Sequence, residues 1–100
     1  MRLDSYKYIY LIGFGGIGMS ALARYFNAKG KIVYGYDRLK SALCTELENE
    51  GIQGYYKDEL SSIPNQIKEN RDKDKDILVI YTPAISSNNY IFSFFKEKEF

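Results

Sequence analysis

The stretch that most constrains this chain is Tyr8-Ile9-Tyr10-Leu11-Ile12-Gly13-Phe14-Gly15-Gly16-Ile17-Gly18, an apolar run opening directly into closely spaced glycines. Gly13, Gly15 and Gly18 satisfy G-x-G-x-x-G, a spacing that reads as strand, phosphate loop and helix start. Each glycine has an expected mechanical task. Gly13 makes a tight turn off the strand, Gly15 lets bare backbone approach a diphosphate, and Gly18 allows close helix-to-sheet contact. N–H groups at a helix start lack intrahelical acceptors, so those from Gly15 through Gly16 and Ile17 to Gly18 are expected to meet an anion. The helix dipole adds about 0.3 to 1 kcal/mol, which leaves most of the affinity to direct hydrogen bonds. A glycine-rich turn without a ligand is the alternative reading of the same residues.

The chain downstream alternates in a way that suits this start. Tyr6 to Ile12 is apolar on both faces apart from Lys7, as in a central parallel strand covered on both sides. Ile17 to Lys29 is expected as a helix with Gly18, Ala21, Leu22 and Tyr25 on one face and Ser20, Arg24 and Asn27 on the other, ended by Gly30. Lys31 to Tyr36 reads as strand two, closed by Asp37, which completes a βαβ unit. Ser41 caps a second helix that runs to Glu50, with Gly51 past its end and Leu43, Leu47 and Cys44 toward the sheet. Ile52 to Tyr56 is a short strand, and Leu60 to Asn70 holds a brief helix capped by Ser61 or Ser62, with Pro64 in its first turn. The charged run from Lys68 to Asp76 reads as a helix end and a solvated loop. Ile77 to Tyr81 is expected as another central strand stopped by Thr82-Pro83, and Asn88 or Asn89 caps a final helix through Lys98 that carries Ile91, Phe94 and Phe95. The fold class is α/β: one Rossmann-like three-layer domain over residues 1–100 with a mostly parallel sheet. A doubly wound sheet continues into a further strand at this point, so the chain reads as a fragment truncated before its last strand.

Composition removes several functions. One hundred residues support a single modest core. Fourteen basic and thirteen acidic residues are interspersed, so no basic field exists to hold nucleic acid. Cys44 is the only cysteine and histidine is absent, which excludes internal disulfides, Cys/His zinc sites and histidine-based triads. No metal site is expected. Arg2 and Lys7 before an apolar segment ending in Ala21-Leu22-Ala23 imitate a signal peptide, but Asp4 interrupts the basic region and the glycines have places in the loop. No run of about 18 apolar residues spans a membrane. A reducing, cytoplasmic setting follows.

Asp37 ends strand two beside the glycine loop, where it can accept hydrogen bonds from a ribose; a turn-capping aspartate is the alternative. Thr82 lies at the carboxyl end of the next strand and offers a hydroxyl to a crevice ligand or simply closes a turn. Arg38 reads as an exposed loop arginine beside a phosphate site. Cys44, with no base beside it, reads as a small core residue rather than a nucleophile. Gly15→Val is expected to weaken a diphosphate ligand at least about tenfold, near 1.4 kcal/mol, with the fold retained.

The run from Ile12 to Arg24, Ile-Gly-Phe-Gly-Gly-Ile-Gly-Met-Ser-Ala-Leu-Ala-Arg, closely resembles the opening signature of the Mur ligases that add L-alanine to UDP-N-acetylmuramate. Gly35-Tyr36-Asp37 is similar to that family's second-strand ending, and Tyr81-Thr82-Pro83-Ala84-Ile85 to its later loop. The resemblance spans essentially the whole chain. It implies a domain that holds the UDP part of UDP-N-acetylmuramate instead of NAD, with the glycine loop on the diphosphate, Asp37 by the uridine and Thr82 by the sugar-phosphate. It also implies a larger enzyme whose central and C-terminal domains use ATP and Mg²⁺ to form an acyl-phosphate that L-alanine attacks. Here Gly30-Lys31 lacks both the upstream glycine and the following Ser/Thr of an ATP loop, so this stretch alone is expected to bind no cofactor and to be catalytically silent. Two positions depart from the family pattern: Lys57-Asp58 replaces its usual histidine, and Tyr36 replaces a small residue. Outside the resemblance, an NAD(P)-binding domain and a non-catalytic interaction module fit the same fold.

Overall fold

The glycine run follows β1 (Tyr8–Ile12) and opens into α1 (Ile17–Ala28), which returns the chain along the sheet to start β2 (Ile32–Tyr36) parallel to β1. This computed structural model describes residues 5–69, 76–83, 85 and 88–97. Arg2 and Asp4, most of the charged run (70–75), Ala84 of the crevice loop and Lys98 at the expected helix end lie outside the described residues. α2 (Ala42–Asn49) leads to β3 (Gln53–Tyr55), and α3 (Asn65–Lys68), β4 (Ile77–Tyr81) and α4 (Tyr90–Glu97) follow. The strands are ordered β3-β2-β1-β4, and each neighbouring pair is parallel. This is the Rossmann-like α/β arrangement expected from the alternation of elements.

Both faces of the sheet are covered. On one, Ile9, Leu11 and Val33 pack with Met19, Ala23 and Phe26 of α1 and with Cys44 and Leu47 of α2. On the other, Tyr10, Ile12, Tyr34, Tyr36 and Ile77 pack with Ile63, Ile67 of α3, and Ile91 and Phe95 of α4. Alternation along β1 therefore sends Ile9 and Leu11 to one layer and Tyr10 and Ile12 to the other, as a doubly covered parallel strand requires.

Three expectations change. The buried stripe of α1 is Met19, Ser20, Ala23 and Phe26, not Gly18, Ala21, Leu22 and Tyr25. Met19 and Phe26 offer more apolar area than the small residues and set the helix's rotation, leaving Leu22 and Tyr25 exposed. Ser20 tolerates burial because its hydroxyl donates to the Ile17 carbonyl at 2.8 Å. Among the described residues β4 is an edge strand instead of a central one, with Tyr81 53% exposed. The segment after β3 splits into a 3₁₀ turn, Leu60–Ser62, and α3, whose N-cap position is Pro64; neither serine caps it. Ser62 is occupied elsewhere, its hydroxyl donating to the Lys57 carbonyl while its own carbonyl accepts the Tyr10 hydroxyl.

The helix ends explain themselves locally. Gly30 and Gly51 take positive φ, +80° and +109°, just beyond α1 and α2. Ser41 accepts the Cys44 N–H at 3.2 Å, and Asn89 accepts the Phe92 N–H at 2.9 Å. α1 differs: Gly16 at its N-cap has no side chain to offer.

Candidate functional site: a cleft at the start of the first helix

Gly13 has φ +95°, which only glycine adopts freely, so the turn off β1 depends on it. The Gly13 and Phe14 N–H groups both donate to the Tyr36 carbonyl, at 2.6 and 3.2 Å, tying the loop to the end of β2. Gly15 N–H donates to Asp37 Oδ2 at 2.9 Å, and Gly16 N–H to the Gly13 carbonyl at 3.2 Å. The first intrahelical acceptor, Gly16, serves Ser20. Among the described residues the N–H groups of Ile17, Gly18 and Met19 meet no acceptor. Those three, pointing back along the helix axis, are the open donors of the loop.

The glycines divide their work differently from the fingerprint. A Cβ on Gly15 would lie 2.8 Å from both Asp37 Oδ2 and Cys44 Sγ, so its bareness is required by the protein's own packing. Gly15→Val therefore presses on Asp37 and Cys44 as well as on any ligand. Gly18 is exposed and a Cβ there would meet nothing within 4 Å, so it is not the residue that brings helix and sheet close. Close approach is needed instead at Gly35, where a Cβ would collide with the Phe14 ring.

A cleft of about 490 Å³ opens at the carboxyl ends of β1, β2 and β4, lined by Gly13, Gly16, Tyr36, Asp37, Arg38, Thr82, Ile85 and Asn89. Its size is that of a small-molecule site. Asp37 and Thr82 stand on opposite walls of the glycine turn, with Thr82 Cγ2 3.4 Å from where a Gly13 Cβ would be. Gly15 sits behind the cleft, held by Asp37. Ile17, 88% exposed, and Gly18 follow the lining residue Gly16 but are not themselves among the lining residues. Asp37 Oδ1 is only 3.4 Å from the Leu39 N–H, leaving that oxygen the less engaged of the two. A smaller cavity, about 270 Å³, lies between β4 and α4 against Val79, Tyr81, Phe92, Phe95 and Lys96. Among the described residues its lining holds no carboxylate.

Asn89 is the cleft residue whose sequence position suggests only a cap. It follows the β4 loop closely in sequence, and that nearness is the one signal of its place in the cleft. Burial pushes the Tyr36 phenol up, and the Asp58 carboxylate adds to this, while a hydrogen bond with the Asn89 side chain works the other way. Asp58 itself accepts the Tyr90 and Ile91 N–H groups at 3.0 and 3.1 Å. Tyr36 and Asp58 are thus brought together beside the start of α4. That helix start is closed by carboxylate and amide, whereas the start of α1 is open.

Cys44 is fully buried. Among the described residues no group of three His, Cys, Asp or Glu side chains is placed to hold a metal ion. The chain's Gly30-Lys31 pair ends α1 rather than cradling a triphosphate, so these residues do not fit ATP with Mg²⁺. Among the described residues, no helix is long and apolar enough to cross a membrane.

A model described as the Mur ligase family, catalytic domain, matches residues 8–98. The chain belongs to the Mur ligase family. Among its relatives, the UDP-N-acetylmuramate–L-alanine ligase of Christiangramia forsetii is 47% identical over 98 residues, covering 98% of this chain and 21% of the relative. That of Cytophaga hutchinsonii is 43% identical over 97% of the chain and 20% of the relative. That of Parabacteroides distasonis is 41% identical over 100% of the chain and 21% of the relative. This Mur ligase chain spans about a fifth of the length of the curated relatives it matches.

Proposed function

We propose that this chain is the N-terminal, UDP-N-acetylmuramate-binding domain of the ATP-dependent ligase that adds L-alanine to UDP-N-acetylmuramate in peptidoglycan synthesis. The observation that carries the reading is the set of three open N–H groups at Ile17, Gly18 and Met19 beside a cleft that also holds Asp37 and Thr82. Relatives bearing that enzyme's name match along nearly the whole chain. In this reading the diphosphate accepts hydrogen bonds from the three N–H groups. Asp37 Oδ1 accepts from a ribose hydroxyl while Oδ2 stays on Gly15, and the Thr82 hydroxyl meets the sugar-phosphate side. Gly13, Gly15 and Gly16 shape the loop and contribute bare surface. The chain's part is to bind and orient.

Activation of the muramoyl carboxylate by ATP and Mg²⁺ belongs to the central and C-terminal domains of the complete enzyme, with which this domain partners. Alone, it is silent in catalysis. The reading carries a cytoplasmic location with it, where a nucleotide-linked wall precursor is made. An NAD-binding domain is the competing reading, because Asp37 would suit that cofactor's ribose as well. Titration calorimetry with UDP-N-acetylmuramate and, separately, NADH decides between them. Heat from the UDP-sugar and none from NADH is expected; NADH binding without a response to the UDP-sugar would overturn the reading.

A further inference from the structure

We propose that Phe14 is the positioning residue of the glycine loop: its ring, keyed into a trough formed by Gly35 and Gly54, fixes where the open N–H groups of Ile17, Gly18 and Met19 lie and thereby sets affinity for a diphosphate. This role rests on the loop being the diphosphate site.

Leu11, Gly35 and Gly54 form one row across the sheet, Leu11 paired with Gly35 and Gly35 with Gly54. Two glycines thus stand side by side in adjacent strands. Glycine in a strand interior weakens it and marks a close approach. Neither has the positive φ that would require glycine on backbone grounds. What approaches Gly35 is Phe14, and Gly54 is met by Tyr56, by Glu48 and by the tip of the same Phe14 ring. A Cβ on Gly35 would collide with Phe14 Cβ, Cγ and Cδ1, and one on Gly54 would lie 2.7 Å from the Tyr56 hydroxyl oxygen, 2.8 Å from Glu48 Oε2 and 3.0 Å from Phe14 Cζ. The base of the ring therefore rests over one glycine and its tip over the other.

The trough is closed at its far end. Tyr56 stands 6.1 Å from the Phe14 ring at 43°, and its hydroxyl donates to Glu48 Oε2 at 2.9 Å. Glu48 Oε1 meets Lys40 Nζ at 3.1 Å. Phe14 is fully buried. In Gly13-Phe14-Gly15-Gly16 it is also the one residue with a side chain, so nothing else in the turn can hold the backbone by packing. Three glycines give the loop its path, and the ring stops that path from wandering.

The test compares UDP binding, by calorimetry, in wild type, Phe14→Leu, Phe14→Met and Phe26→Leu. Phe26→Leu makes the same exchange in the same core cluster at the opposite end of α1, and melting temperatures are recorded for all four. Phe14→Leu and Phe14→Met should bind UDP at least about tenfold more weakly, while Phe26→Leu stays within about twofold of wild type at a comparable loss of melting temperature. Phe14→Met fills the trough with a flexible chain and keeps the test alive if leucine leaves too large a void. Wild-type UDP affinity in either Phe14 variant, or equal losses in Phe14→Leu and Phe26→Leu, would overturn the positioning role. Wild type that ignores UDP would instead overturn the diphosphate reading on which it rests.

Discussion

At Gly15 a single methyl group would reach Asp37 and Cys44, whereas at Gly18 it would reach nothing. The two fingerprint glycines therefore predict opposite outcomes. Gly18→Ala places a better helix former in the first turn of α1 and should raise stability by about 0.5–1 kcal/mol. Gly15→Ala pushes on the Asp37 carboxylate, strains the bond from the Gly15 N–H and should lower stability. Thermal melting separates them, since each kcal/mol moves the midpoint by about 4–8 °C in a domain of this size. Equal losses at both positions would contradict this packing. The G-x-G-x-x-G spacing is legible in the sequence, but the reason behind each glycine is not. Gly15 is explained by Cys44 and Asp37, Gly35 by Phe14, and Gly54 by Tyr56, Glu48 and the tip of Phe14, partners that meet only once the strands are in register.

At the scale of elements, the helix starts differ in what occupies them. α2 is capped by Ser41, and α4 by Asn89 together with Asp58. α1 begins at Gly16 with no side-chain cap. Ser41 and Asn89 are readable because each caps its own helix three residues on. Asp58 is not, because it reaches across 32 residues to Tyr90. Asp58→Ala removes the acceptor from two N–H groups and should cost about 1 kcal/mol, read in the denaturant midpoint. An unchanged midpoint would mean that Asn89 holds α4 alone. The rotation of α1 escapes local pattern for a similar reason. Gly18, Ala21, Leu22 and Tyr25 make a plausible apolar stripe, but Met19, Ala23 and Phe26 face the sheet because the larger side chains fill the layer over Ile9 and Leu11. Arg24, on the outer side, instead ties α1 to Glu50 beyond α2 at 2.8 Å.

At the scale of the molecule, alternating apolar runs and glycine stops are enough to specify a parallel α/β sheet. Strand order is the part that local pattern does not supply: Ile77 to Tyr81 is apolar enough for a central strand yet lies at the sheet's edge among the described residues. What the order β3-β2-β1-β4 does is bring the ends of β1, β2 and β4 around one cleft, so that Gly13, Asp37 and Thr82, distant in sequence, line it together. In the proposed function that cleft takes a UDP-linked sugar through the open start of α1. The most direct test is ¹H–¹⁵N mapping of the backbone amides during titration with UDP-N-acetylmuramate. The largest shifts should fall on Ile17, Gly18 and Met19, with smaller ones on the already bonded Phe14 and Gly16. Shifts that bypass those three amides and collect instead around Val79, Phe92 and Lys96 would contradict it.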